Sequence, residues 1–221
     1  MAVRGKAKAG YAPTSLESRD ALLPQLESIE AERAAAAFCK ACPLWKGATQ
    51  TVFGEGNPKA EIVIVGEQPG DKEDLQGKPF VGPAGRILRE VMVEVGLDIA
   101  QSYVTNAVKH FKFEQRGKRR IHSKPGTKEI KACYPWLKRE LELIQPKFVL
   151  ILGSTAVTAV LGRAGTIAKL RGKVIPLEDG ASAVVTVHPS SLLRIPDKTA
   201  KEAAYKQFVK DLRFLKRQLT A

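Results

Sequence analysis

Residues 61–70 read EIVIVGEQPG, and this stretch decides the fold. Ile62, Val63, Ile64 and Val65 are four consecutive β-branched residues, a composition that fits a pleated strand. The run has no polar alternation, so both of its faces must be covered, as in a parallel sheet. Gly66 closes it and a polar turn follows. Working outward, PAGRILREVMVEVGL (83–97) has helical spacing, with Pro83 in a plausible first turn and Gly96 near the end. YVTNAV (103–108) reads as a second strand and KFVLILG (147–153) as a third. Between them, residues 127–144 read as a helix, with Thr127 as N-cap and Glu129 as an acid in the first turn. STAVTAVLG follows as a short helix. ASAVVTVHPSS (181–191) is a fourth strand with a polar tip, and a last helix runs from about Asp197 to Gln218. Upstream, residues 21–38 read as a helix leading into Cys39, and residues 42–60 as loop with one short strand. Strands alternating with helices predict an α/β fold of three layers, with a central, mainly parallel four-stranded sheet flanked by helices. One domain is expected over residues 20–221, preceded by a flexible tail over residues 1–19.

The net charge of +13 over 221 residues favours a polyanionic partner. No segment approaches the roughly 20 apolar residues that span a bilayer, and the basic N-terminus lacks the apolar core of a secretion signal. A cytoplasmic, nucleoid-associated protein without a membrane partner is the expectation. The three cysteines are odd in number, and Cys39 and Cys42 form a Cys-x-x-Cys pair, which points to metal or redox chemistry rather than a disulfide framework.

Ligands of parallel α/β folds sit beyond the carboxyl ends of the strands, and three motifs lie there: GEQPG after the first strand, TNAVKH at the end of the second and HPSS after the fourth. GEQPGDKED (66–74) offers glycines for close backbone approach and the carboxylates of Glu67 and Asp71; by itself it could be an ordinary turn. HPSS (188–191) places His188 where it can donate to a leaving group and Ser190 where it can meet phosphate; by itself it could be a capped strand end. The stretch from Lys109 to Lys131 holds nine Lys or Arg against two Glu, with Phe111 and Phe113 interleaved. Charge runs are usually solvated faces, but this one lies at the ligand edge, where gripping phosphates needs it. Cys39, Cys42 and Cys133 need a fourth donor for a tetrahedral or cluster site, and His110 is the most available nitrogen. Free thiols, or zinc, fit the spacing as well.

GEQPGDKEDLQGKPFVGPAGR, YVTNAVKHFKF, GKRRIH and VTVHPSSLLR, in that order, resemble the iron–sulfur uracil-DNA glycosylases called family 4, and more closely their UdgX subgroup. The resemblance spans about residues 38–215. His110 stands where family-4 enzymes carry a fourth cysteine, and UdgX proteins share that histidine. The resemblance implies a [4Fe–4S] cluster on Cys39, Cys42, His110 and Cys133. It implies uracil-containing DNA as substrate, single-stranded and also double-stranded, met by a monomer. Phe80 would stack on the flipped uracil and Asn106 would read its polar edge, with Gln68 and Asp71 contributing to the pocket. Lys118, Arg119, Arg120 and Ser190 would hold the strand. His188 would stabilise the departing uracil, and His122 would attack the sugar, oriented by Glu67, leaving a stable protein–DNA adduct. A conventional turnover glycosylase and a non-catalytic iron–sulfur DNA-binding protein are the alternatives.

Overall fold

The computed structural model describes residues 26–220. The tail expected over residues 1–19 and the first residues of the expected helix, 21–25, lie outside them. The first described helix, α1 (Ile29–Ala36), is capped by the Ser28 hydroxyl, which accepts from the Ala31 N–H at 3.2 Å. A short 3-10 turn, Pro43–Lys46, follows it.

Eight strands are found: β1 (Glu55–Gly56), β2 (Ile62–Gly66), β3 (Tyr103–Asn106), β4 (Phe113–Arg116), β5 (Arg119–His122), β6 (Phe148–Leu152), β7 (Ile175–Pro176) and β8 (Ser182–Thr186). The main sheet has the order β1-β3-β2-β6-β8-β7, so it has six strands rather than the expected four. The four expected strands form its parallel centre, β3-β2-β6-β8. β1 and β7 add two residues each, antiparallel, at the edges. β1 falls within residues 42–60, where one short strand was expected outside the central four, whereas β7 carries too little hydrophobic pattern to be read from sequence.

Every residue of β2 is buried, because its two faces feed two cores. Val63 and Val65, with Val149, Ile151, Ala183 and Val185, face α1, the long helix α4 (Thr127–Ile144) and α5 (Gly153–Leu161). Ile62 and Ile64, with Leu150, Leu152 and Val184, face α3 (Pro83–Glu94) and the last helix α8 (Lys198–Leu219). Three short helices complete the set: α2 (Asp71–Gln76), α6 (Ile167–Leu170) and α7 (Ser190–Leu193). The α4 cap differs from the expectation. Thr127 is already helical, the N-cap is Gly126, and the carboxylate of Glu129 accepts the Gly126 N–H. Glycine offers no side chain there, so the first-turn acid does the capping. No helix among the described residues is long and apolar enough to cross a membrane.

Candidate active site

The carboxyl ends of β2, β3, β6 and β8 open onto one cavity of about 740 Å³, whose lining includes Glu67, Phe80, Asn106, His122, His188 and Ser190. The three motifs therefore meet. Gly66 must be glycine for a local reason: a Cβ there would lie 2.3 Å from Asn106 Oδ1 and 2.7 Å from Phe80 Cζ. Phe80 sits at φ 56, a conformation that L-residues with large side chains rarely take. Arg89 Nη1 holds its carbonyl at 2.8 Å, and Gly85 leaves that carbonyl room, since a Cβ would lie 1.7 Å from it.

Asn106 is 3% exposed, and its side-chain amide makes no hydrogen bond among the described residues. It lines the cavity, where a ligand could meet it. Its backbone is held from below. Lys109 Nζ donates to the Asn106 carbonyl at 2.8 Å and pairs with buried Glu140 at 2.5 Å. Glu140 also accepts from Tyr103 Oη and Thr105 Oγ1, both at 2.9 Å.

His188 has a defined tautomer. Its Nδ1 accepts from the Ser190 N–H at 3.3 Å and lies 2.8 Å from Ser190 Oγ. An accepting Nδ1 puts the ring proton on Nε2. Burial pushes the His188 pKa down to about 4, against an opposing pull from Glu67, so the ring is a neutral N–H donor at physiological pH. Ser190, expected to meet phosphate, lines the cavity and also positions His188.

The basic stretch, read as loop, is a β-hairpin. β4 and β5 pair with Phe113 opposite His122 and Arg116 opposite Arg119, and Gly117 takes φ 59 in the two-residue turn. Three contacts dock it. Gln68 accepts the Lys112 N–H at 3.0 Å and donates to the carbonyls of Lys112 and Ser123 at 3.1 and 3.0 Å, tying both roots of the hairpin. Its amide is thus engaged inside the protein, so a ligand in the cavity would meet its backbone. Arg120 Nε meets Asp71 Oδ1 and Arg120 Nη1 meets buried Asp74 Oδ2, each at 2.6 Å. The guanidinium also lies over Phe111 and Phe113, at 5.4 and 5.2 Å from their ring centroids. Lys112 pairs with Glu129 at 2.9 Å. Arg120 and Asp71 therefore hold each other, whereas Lys118 and Arg119 are exposed at the hairpin tip and form no ion pair among the described residues.

The docked hairpin brings His122 Nε2 to 3.1 Å from Glu67 Oε1. Thr155, at the start of α5, donates its hydroxyl to the other oxygen, Glu67 Oε2. Burial alone would raise the Glu67 pKa, but the hydrogen bonds from His122 and Thr155 and the two nearby imidazoles leave it lowered, so the group is a carboxylate. His122 Nε2 faces the carboxylate, which leaves Nδ1 as the ring nitrogen turned away from it. Thr155 and Asp74 escaped the sequence reading. Thr155 could have been found as a polar residue just past a strand end, in an otherwise apolar helix.

Cys39, Cys42 and Cys133 are not in disulfides. Cys39 Sγ accepts from Trp136 Nε1 at 3.2 Å, and Cys133 Sγ from the Lys109 N–H at 3.1 Å. Burial pushes the Cys133 thiol up to about 12, and the other two thiols add to this, which places them nearby. His110 is 5% exposed, with Nε2 at 2.9 Å from Thr51 Oγ1, and burial lowers its pKa. Among the described residues, no three His, Cys, Asp or Glu side chains are drawn into metal-ligating geometry.

Fold and cavity define an α/β protein with Phe80, Asn106 and His188 lining one cavity at the strand ends, beside a carboxylate–imidazole pair. The chain belongs to the uracil DNA glycosylase superfamily, whose model matches residues 53–213. It is similar to the type-4 uracil-DNA glycosylase of Sulfurisphaera tokodaii, at 36% identity over 180 residues, covering 78% of this chain and 79% of that one. The type-4 enzyme of Thermotoga maritima is 36% identical over 81% of this chain and 91% of its own. That of Archaeoglobus fulgidus is 37% identical over 72% and 79%.

Proposed function

We propose that this protein removes uracil from DNA and then captures the sugar through His122, as the adduct-forming UdgX subgroup would. The observation that carries the reading is the His122–Glu67 pair at 3.1 Å on the rim of a cavity that also holds Asn106 and His188. Uracil flipped from the strand, at an unstacking cost of a few kcal/mol, would lie on Phe80 with its amide edge on Asn106. As the glycosidic bond breaks, the electron pair goes to uracil and the Nε2–H of His188 stabilises the developing negative oxygen. The sugar becomes cationic beside the Glu67 carboxylate. The Nδ1 lone pair of His122 then bonds to C1′, and the Nε2 proton of the resulting imidazolium is shared with Glu67. The departed uracil takes its proton from solvent. The new carbon–nitrogen bond has no built-in route to water, so turnover stops.

Cys39, Cys42, Cys133 and Nδ1 of His110 would hold a [4Fe–4S] cluster, whose contribution when bound is to cross-link the segments behind the cavity. The donor set fits: the three thiols are not in disulfides, two already accept N–H bonds as cluster thiolates do, and burial lowers the imidazole pKa. Lys118 and Arg119 would meet the phosphates of the uracil-containing strand.

The test mixes wild type, His122→Ser and His122→Gly with uracil-containing DNA, single- and double-stranded, and scores heat- and detergent-resistant bands alongside alkali-labile sites. Wild type should give the resistant band. The variants should lose it yet still release uracil, because water can enter the space the ring leaves while His188, Glu67 and Asn106 remain. A resistant band from either variant would exclude His122 as the captor. Turnover by wild type without an adduct would make the protein a conventional glycosylase.

A further inference from the structure

We infer that Thr51 is a positioning residue for the cluster site, fixing the tautomer of His110 so that Nδ1 is the nitrogen offered to iron. The inference rests on the cluster reading above.

The argument is one of proton counting. A threonine hydroxyl has a single proton. Thr51 Oγ1 donates it to the carbonyl of Ala36 at 3.0 Å, an acceptor that has no proton to give in return. The same oxygen lies 2.9 Å from His110 Nε2. With its proton committed, the hydroxyl can only accept there, so Nε2 carries the ring hydrogen. Nδ1 of the neutral ring is then a bare lone pair, and it makes no hydrogen bond among the described residues. Metal-bound histidines are held by this kind of contact: the distal N–H is donated to a fixed oxygen, which sets the ring orientation and the ligating nitrogen.

Thr51 also joins three of the four ligand segments. The Ala36 carbonyl that takes its proton also accepts the N–H of Cys39 at 3.0 Å, so Thr51 and Cys39 share an anchor at the end of α1. The next residue, Val52, donates its N–H to the Lys109 carbonyl at 2.8 Å, and the Lys109 N–H donates to Cys133 Sγ at 3.1 Å. One hydroxyl therefore aligns the ring while its neighbouring bonds align the segments that present Cys39 and Cys133. A valine in its place would keep the volume but remove both bonds, leaving the ring free to turn and to place its proton on Nδ1, where it would block a metal bond. A serine would keep the hydroxyl.

The experiment uses full-length wild type, Thr51→Val and Thr51→Ser purified without oxygen. Iron and sulfide per chain are measured, together with the rate at which a ferrous chelator strips iron. Wild type should carry iron and sulfide. Thr51→Val should lose iron about ten- to a hundredfold faster, the usual effect of removing such a contact, and Thr51→Ser should restore retention. Wild type devoid of iron would overturn the cluster reading itself. An iron-loaded Thr51→Val that matches wild type in the chelator assay would overturn only the role of Thr51. A second measurement needs no variant. In wild type with one histidine ring nitrogen isotopically labelled at a time, pulsed electron paramagnetic resonance of the reduced cluster should show the strong coupling from Nδ1. Strong coupling from Nε2 would refute the inference even if Thr51→Val failed to fold.

Discussion

Replacing Arg120 with alanine should uncouple capture from excision. The guanidinium is 18% exposed and joins the nucleophile's strand to two acids of α2. Its bond to Asp71, a half-exposed acid, adds under about 1 kcal/mol. The bond to Asp74 matters more, because that side chain is 0% exposed. Removing one partner of a buried pair costs about 3–5 kcal/mol. Asp74 keeps two contacts from the Thr49 N–H, at 3.0 and 3.1 Å, so the lower end or slightly less applies. A loss of about 2–3 kcal/mol corresponds to roughly 30- to 160-fold in the docked population of the hairpin. His122 lies two residues along the same strand and is presented only by the docked form. Glu67, Asn106, Phe80 and His188 sit on other elements and keep their places. Adduct formation in Arg120→Ala should therefore slow by at least about tenfold while uracil release persists. Arg120→Lys should rescue it poorly, since an ammonium cannot form the two-pronged bond. Single-turnover time courses, with adduct scored on denaturing gels and uracil scored separately, provide the measurement. An adduct rate equal to that of wild type would show that the clamp does not position His122.

The other expectations are briefer. Lys118→Ala and Arg119→Ala should each reduce the log–log salt slope of single-strand binding by about 0.7 per lost phosphate contact, whereas Arg120→Ala should leave it unaltered; equal slopes in all three would place the phosphates elsewhere. Thr155→Val removes a hydrogen bond to a carboxylate, worth about 1.5–3 kcal/mol. It should slow cleavage at least about tenfold and move the acid limb of the pH profile upward, because a contact that lowers the Glu67 pKa is gone; Thr155→Ser should restore both. His188 falls from the ordinary 6.5 to about 4 on folding, so the unfolded chain takes up a proton that the folded one refuses. That costs nothing above pH 6.5 and grows to about 3 kcal/mol as pH falls to 4. Urea unfolding at pH 7.5 and 4.5 should show a smaller acid loss in His188→Asn than in wild type, and an identical loss would contradict the buried neutral ring.

What could be read in advance follows from how far each signal extends along the chain. The four parallel strands were legible because each is an unbroken apolar run, and the convergence of GEQPG, TNAV and HPSS followed from the rule about strand ends. The hairpin was not, because half of the residues in Phe113–Arg116 and Arg119–His122 are charged and none is buried in a core. Its one local mark, glycine in a two-residue turn at Gly117, was hidden by the charge run around it. The contacts that Arg120, Gln68 and Ser190 make within the chain were not foreseen, for a common reason. Residue type shows what a side chain can bind, but not whether another part of the chain already occupies it. Arg120 has Asp71 and Asp74, Gln68 has Lys112 and Ser123, and Ser190 has His188.

The same occupancy explains how a capturing residue can be added to an excision pocket without rebuilding it. On the proposed reading, leaving-group stabilisation would belong to the HPSS tip after β8 and base reading to the end of β3, both rooted in the sheet. The proposed nucleophile, His122, lies on a separate two-stranded element outside the sheet. That element is fixed by residues 67–74: Gln68 holds its roots, Asp71 and Asp74 hold its arginine, and Glu67 holds the histidine itself. The carboxylate that would balance the cationic sugar and the carboxylate that orients the attacking ring are one group, so aligning one aligns the other. An imidazole poised in this way would compete with water for the sugar by proximity, an advantage worth up to about 7–11 kcal/mol in well-oriented intramolecular reactions. On the proposed reading, capture would then win over hydrolysis without any change in how the base is cleaved, so loss of His122 should return the protein to turnover rather than silence it.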